Sequence, residues 1–293
     1  MSETGTIVWP SSSSRICEMR YVLSDASQPE GIAIHGVRFR GKQVLYKGSL
    51  PSLRVQYDAN AQGWACGPYK DPLHFANADV QSNGRKVSVY TYISGFLPVL
   101  ALESYHRIGA YRLRQRWAFT LSGTILPRLF SAGLQCNQNH RHHAYWRFDF
   151  DINDARNDAL YEYNTTTPNI GYGPGWHKKL YETRRAKNPP TRRQWAIMDR
   201  SAGNGYFIIP GAHDGAADAF STHDLWVMRY RGSEDRQGNQ GSASSDDLTA
   251  YLNGENADGQ DVVVWYCGHL AHQAHAGGDE WHHVGPRLDP FRW

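Results

Sequence analysis

Residues 139–151 read NHRHHAYWRFDFD, and their spacing decides the fold. From Trp146 to Asp151 aromatic and charged side chains alternate, which is the period of a strand and not of a helix. On a strand His140 and His142 share one face and His143 takes the other. Asp149 and Asp151 again share a face. Two imidazoles at i and i+2 make a platform for copper or zinc, although packing of histidines needs no metal at all. A third nitrogen would come from another strand, and DVVVWYCGHLAHQAH offers His269, His272 and His275. The two carboxylates, joined by a further Asp, would suit calcium or manganese. A solvated acidic face is the alternative.

Working outward, alternating apolar segments recur at RKVSVYTYI, YRLRQRWAFTL, AYWRFDFDI, RQWAIMD, GYFIIPG, DLWVMRY and DVVVWYCGHL, separated by Gly, Asn, Asp and Pro. Around Arg40-Gly41-Lys42 the pattern GIAIHGVRFRGKQVLYKGSL predicts a hairpin. Helical periodicity rises only in 155–165. Residues 1–16 read as a loose N-terminal leader. The polar, Gly/Ser-rich stretch 232–260 reads as a long loop, because a strong strand follows it at once. The expectation is a single all-β domain over 17–293, a large antiparallel β-sandwich with few short helices.

With 293 residues, 40% hydrophobic and 20% charged, the chain can bury a core. Ten Trp, seventeen Tyr and ten Phe favour strands. A net charge of +3 and the lack of an aromatic-basic motif speak against a nucleic-acid partner. The N-terminus lacks the basic start and apolar run of a signal peptide, and no segment approaches membrane-spanning length. A cytoplasmic protein is expected, with Cys17, Cys66, Cys136 and Cys267 as free thiols, since no CxxC pair occurs.

Four segments, in order, resemble the copper amine oxidase family. HRHHAYWRFDFDI is similar to that family's HQHxxxxRLDxDVD, and DVVVWYCGHLAH to its DIVVWYxxGxTH. SLPSLRVQYD followed by GWACGPYKD resembles SLPEMVVPYGD…GW…AYLD. YRLRQRWAFTLSGTI resembles YDYxFDWxFxxDGTI, whose first Tyr becomes topaquinone. The resemblance implies a copper amine oxidase catalytic-domain sandwich with His140, His142 and His272 as copper ligands and His143 as a spare. It makes Tyr111 the quinone precursor. Asp71, fourteen positions after Tyr57, becomes the catalytic base. Tyr57 would bond the quinone oxygen and Tyr69 would gate the channel. Asp149, Asp151 and Asp261, with the Phe150 and Val262 carbonyls, would hold a secondary calcium or manganese ion. Arg112 and Trp64 are expected to contact the substrate. The implied reaction is oxidative deamination of a primary amine with dioxygen: the quinone captures the amine and a buried carboxylate removes its α-proton.

The chain departs from the family at three places. Ala110-Tyr111-Arg112 replaces an Asn before the quinone Tyr and an acidic residue after it. The stretch between Tyr111 and His140 is too short for the long arm that embraces a partner, so a homodimer would have reduced arms. Pro72-Leu73-His74-Phe75 does not match the family after its base. Two other readings therefore stay open: a copper oxidase or oxygenase without topaquinone, acting on a small molecule in a biosynthetic pathway, and a non-catalytic copper-binding protein.

Overall fold

The computed structural model describes residues 1–58, 66–165, 175–232 and 248–293. Among them, two antiparallel sheets hold the chain together. The first runs in the order β1 (Glu3–Ser11), β2 (Ser14–Leu23), β3 (Ile32–Phe39), β4 (Lys42–Tyr57), β10 (His140–Phe150), β17 (Val262–His272), β16 (Leu225–Arg229) and β13 (Thr183–Arg185). A short β5 (Tyr69–Lys70) pairs with β4. The second runs β12 (Trp176–Lys179), β11 (Asp158–Tyr163), β14 (Gln194–Asp199), β15 (Gly205–Ile209), β19 (Arg287–Phe291), β9 (Ile125–Ala132), β8 (Tyr111–Thr120), β7 (Leu97–Ile108) and β6 (Ser88–Ser94). In it β18 (His282–Val284) pairs with β9. The sandwich read from the sequence is the fold found.

The predicted hairpin is β3–β4. Arg40 at φ 50° and Gly41 at φ 81° both lie in the left-handed region, as a two-residue loop with the twist of its flanking strands requires. Three other expectations need correction. Residues 1–16 are not a loose leader, because β1 pairs along its length with β2. The segment 155–165 contains β11 and no helix: Asp158–Tyr163 alternates well enough to pair with β14 on one side and β12 on the other. Cys66 and Cys136 form a disulfide, leaving only Cys17 and Cys267 free. Their separation of 70 residues hides that pairing in the sequence. Of the polar loop 232–260, residues 233–247 lie outside the described residues. No helix among the described residues is long and apolar enough to cross a membrane.

β10 lies at the centre of its sheet, between β4 and β17. Its even-numbered residues face the second sheet: the Trp146 ring meets Trp117 of β8 edge-on at 5.1 Å, and Phe148 stands 6.3 Å from the same Trp. The odd-numbered Tyr145 points the other way and packs with Trp226, Val263, Trp265 and Cys267 in a separate apolar cluster. Both faces of the strand are therefore interior. Trp117 is fully buried and donates its indole N–H to the Ile32 carbonyl at 2.9 Å. Trp117→Ala should cost about 3–5 kcal/mol of stability, read from denaturant unfolding.

Candidate active site

Alternation delivers His140 and His142 to the inner face, and the ladder sets His140 directly opposite His272 of β17. The three imidazoles are buried. Ring centroids lie 5.1 Å apart for His140 and His142 and 4.9 Å apart for His140 and His272. Each ring has one nitrogen held by the protein and one left over. His140 Nδ1 meets the Gln138 carbonyl at 3.1 Å, His272 Nε2 the Gly277 carbonyl at 2.9 Å, and His142 Nε2 the Ser131 hydroxyl at 3.1 Å. His140 Nε2, His142 Nδ1 and His272 Nδ1 are buried without a hydrogen-bond partner. Carbonyls on the far nitrogen fix the tautomer of His140 and His272 and leave the near lone pair for a metal. Burial lowers all three pKa values, that of His140 to about 4, so the rings are neutral, as ligands must be. No choice of one nitrogen from each ring brings all three within 4.8 Å.

Two residues here were not singled out from the sequence. Ser131 reaches across from β9, and the His282 ring lies 4.5 Å from that of His272. Only the pairing of β18 with β9 brings His282 there, and no local pattern announces it.

Tyr111 opens β8 and is buried against this cluster, its ring 4.7 Å from His142 and 5.3 Å from His140. Its hydroxyl forms a short hydrogen bond with that of Tyr57, at the end of β4. Gly133 allows the loop after β9 to lie against Tyr111: at φ 111°, a Cβ there would sit 2.2 Å from the Ala110 carbonyl oxygen. Tyr69 stands edge-on to Tyr57 at 6.0 Å and is partly open to solvent. The Cys66–Cys136 bridge joins the segment ahead of Tyr69 to the loop that leads into His140.

Asp71 completes the group. Its backbone N–H donates to the Leu53 carbonyl at 2.9 Å, its side chain is buried, and its Oδ2 has no partner. Burial raises its pKa to about 7. Burial also raises both hydroxyls, Tyr57 to about 12, and the charge of Asp71 adds to each shift.

One expected substrate contact does not enter this group, and the other cannot be placed. Arg112 follows Tyr111 on β8 and so points to the opposite face, where it pairs with Asp279 at 2.9 Å and lies over Trp281. Trp64 lies outside the described residues. At the far end of β10, Asp149, Asp151 and Asp261 do gather, with oxygens within 4.8 Å of one another. Phe150 and Val262 face each other across the ladder beside them. Burial first, then mutual repulsion, raises Asp151 to about 6 and Asp261 to about 7. Asp158, which lies in the segment read as helical, is buried beside them, and burial first, then their charges, raises its pKa well above the usual carboxylate range. His143, the spare, meets His269 on the outer face, Nδ1 to Nδ1 at 2.9 Å.

A family model described as "Copper amine oxidase, enzyme domain" matches residues 132–279, half of the chain. The chain belongs to the copper amine oxidase family. No curated protein sequence matches it. Among solved structures, it is similar to an amine oxidase of Aspergillus nidulans, with TM-score 0.74, 14% identity, and coverage of 94% of this chain and 50% of that one. Pichia pastoris lysyl oxidase gives 0.74, 15%, 94% and 51% in the same order. A copper-containing benzylamine oxidase from Hansenula polymorpha gives 0.67, 17%, 98% and 59%. The chain thus spans about half the length of these structures, and at such identities the likeness is one of fold.

For this copper amine oxidase domain the raised pKa of Asp71 has a consequence for stability. A carboxyl whose folded pKa lies above the unfolded value of 3.8 stabilises the fold below that value and loses this contribution as pH rises to about 7. Asp71→Asn should leave stability unchanged near pH 4 and raise it near pH 8, by up to about 4 kcal/mol, in thermal or denaturant unfolding.

Proposed function

We propose that the protein is a copper-dependent oxidoreductase that deaminates a primary amine with dioxygen, using a quinone made from Tyr111. One observation carries the proposal: three buried neutral imidazoles each keep one nitrogen unpartnered, and two of them, His140 and His142, flank the ring of the buried Tyr111 while the third, His272, stands 4.9 Å from His140. Neutral nitrogen donors suit copper. His140, His142 and His272 would hold it, and copper with a quinone would supply an electrophilic carbonyl and a route for electrons to dioxygen.

The chain's own residues do the rest. Tyr57 holds the oxygen of Tyr111 by hydrogen bond. Asp71, with a pKa near neutrality, is ionised enough to take the α-proton of the amine and basic enough to keep it. Tyr69 stands at the rim, where it would control entry. An amine and dioxygen are thus the small-molecule partners. A homodimer with reduced arms belongs to the same proposal, its contact drawing on the β6–β7 hairpin tip, where Ile93, Phe96 and Leu97 are exposed. The cytoplasmic location expected from the N-terminus is opposed by the Cys66–Cys136 bridge, since disulfides persist mainly in oxidising compartments.

A second reading, a copper oxidase or oxygenase that leaves Tyr111 unmodified, draws on the unusual Ala110-Tyr111-Arg112 context. Aerobic reconstitution with copper separates the two. The first expects a broad visible band and an oxidised Tyr111 peptide by mass. Bound copper with an unmodified Tyr111 favours the second. His272→Ala should abolish turnover and lower the copper content by about one equivalent, and unchanged metal content would refute the ligand set.

For the far end of β10 we propose a calcium- or manganese-type ion on Asp149, Asp151 and Asp261, an oxygen-only donor set suited to a hard cation. Calcium should raise the melting temperature by several degrees at pH 8. The effect should fade below about pH 6 as Asp261 and Asp151 protonate, and vanish in Asp261→Asn.

A further inference from the structure

The outer face of β10 and β17 carries a second group of metal-binding side chains, back to back with the inner histidines. His143 and His269 are direct partners in the ladder, and Cys267 lies two residues before His269 on the same face. All three are fully buried, and one donor atom from each falls within a common 4.8 Å. The two Nδ1 atoms are 2.9 Å apart, and Cys267 Sγ lies 3.8 Å from His269 Nδ1.

The surroundings of the two rings suit a metal ion as well as a hydrogen-bonded pair. Two imidazoles meeting through Nδ1 can share only one proton, so the accepting ring must carry its own on Nε2. Neither Nε2 has a hydrogen-bond partner, although both are buried. What stands behind each is a carboxylate: Asp218 lies 3.8 Å from His143 Nε2, and Asp224 lies 3.4 Å from His269 Nε2. The carboxylates are themselves held. Asp218 accepts the Phe220 and Ser221 backbone N–H groups at 2.9 and 3.0 Å, and Asp224 accepts that of Lys187 at 2.9 Å. Nδ1 turned to a common point, Nε2–H turned to an anchored carboxylate, and a sulfur closing the third side is the arrangement of a metal-bound histidine pair with its supporting shell.

We propose that His143, His269 and Cys267 form a second metal site, for a borderline-soft ion of the zinc or copper class. Two neutral imidazoles and one thiolate suit such an ion, while calcium and magnesium prefer oxygen. Binding releases two protons to solvent, the Cys267 thiol proton and the one that Cys267 and Asp224 hold on His269, and changes no oxidation state. Because the ligands come from two neighbouring strands, the ion pins β10 to β17 in the register that sets His140 opposite His272. The site is separate from the inner histidines, and it stands whether or not Tyr111 is ever oxidised.

Cobalt titration of metal-free protein provides the test. A thiolate-to-cobalt charge-transfer band in the near ultraviolet should appear, saturate within two equivalents because the inner histidines also take cobalt, and be displaced by zinc. It should persist in His272→Ala, disappear in Cys267→Ser, and need at least ten-fold more cobalt in His269→Gln. Absence of the band in the wild-type protein, or its survival in Cys267→Ser, overturns the proposal. Should Cys267→Ser fail to fold, the X-ray absorption edge of zinc-loaded wild-type protein decides: sulfur with two imidazoles supports the site, and a shell of nitrogen and oxygen alone overturns it. Metal analysis after growth with both ions tells zinc from copper.

Discussion

A strand buried on both faces must give every side chain an interior environment, and β10 is such a strand. Its alternation sorts one short run of sequence into separate chemistries. Even positions carry His140 and His142 and then Trp146 and Phe148, so the inner imidazoles rest on the same face that packs the two sheets together. Odd positions carry His143, Tyr145 and Asp149 to the opposite face, where Tyr145 packs with Trp226 and Trp265. A slip of one residue would exchange these sets and put charge into the core. The ladder with β17 extends the sorting, since it matches His140 with His272 and His143 with His269.

Exclusion of water then does the electrostatic work. It keeps the inner imidazoles neutral and able to donate lone pairs. It raises the pKa of Asp71 to about 7, with no ion pair among the described residues to hold it down. The same burial costs stability wherever carboxylates crowd together. Asp149, Asp151 and Asp261 repel one another at the far end of the strand, a strain that Arg147 relieves in part, at 3.1 Å from Asp149 and through its charge on Asp261. Function and fold oppose each other at such places, as a site with poised groups requires.

The alternation of NHRHHAYWRFDFD and the turn at Arg40-Gly41 were legible because both are local. Their strands and the two-sheet architecture follow from that pattern, and the grouping of His140, His142 and His272 follows from adding one resemblance. What escaped was long-range. The 70 residues between Cys66 and Cys136 carry no trace of their pairing, and β18 meets β9 only in the folded chain. Asp158 was obscured because DALYEY also fits a short helical period. Arg112 lies apart from the group for a different reason. Alternation along β8 already opposes it to Tyr111, and the replacement of an acidic family residue outweighed that simple geometry.

Anomalous diffraction at the copper edge, from crystals of copper-loaded protein, tests the division of β10 most directly. The account predicts a strong peak between His140, His142 and His272, beside Tyr111. A peak on the outer face alone, at His143, Cys267 and His269, would contradict it.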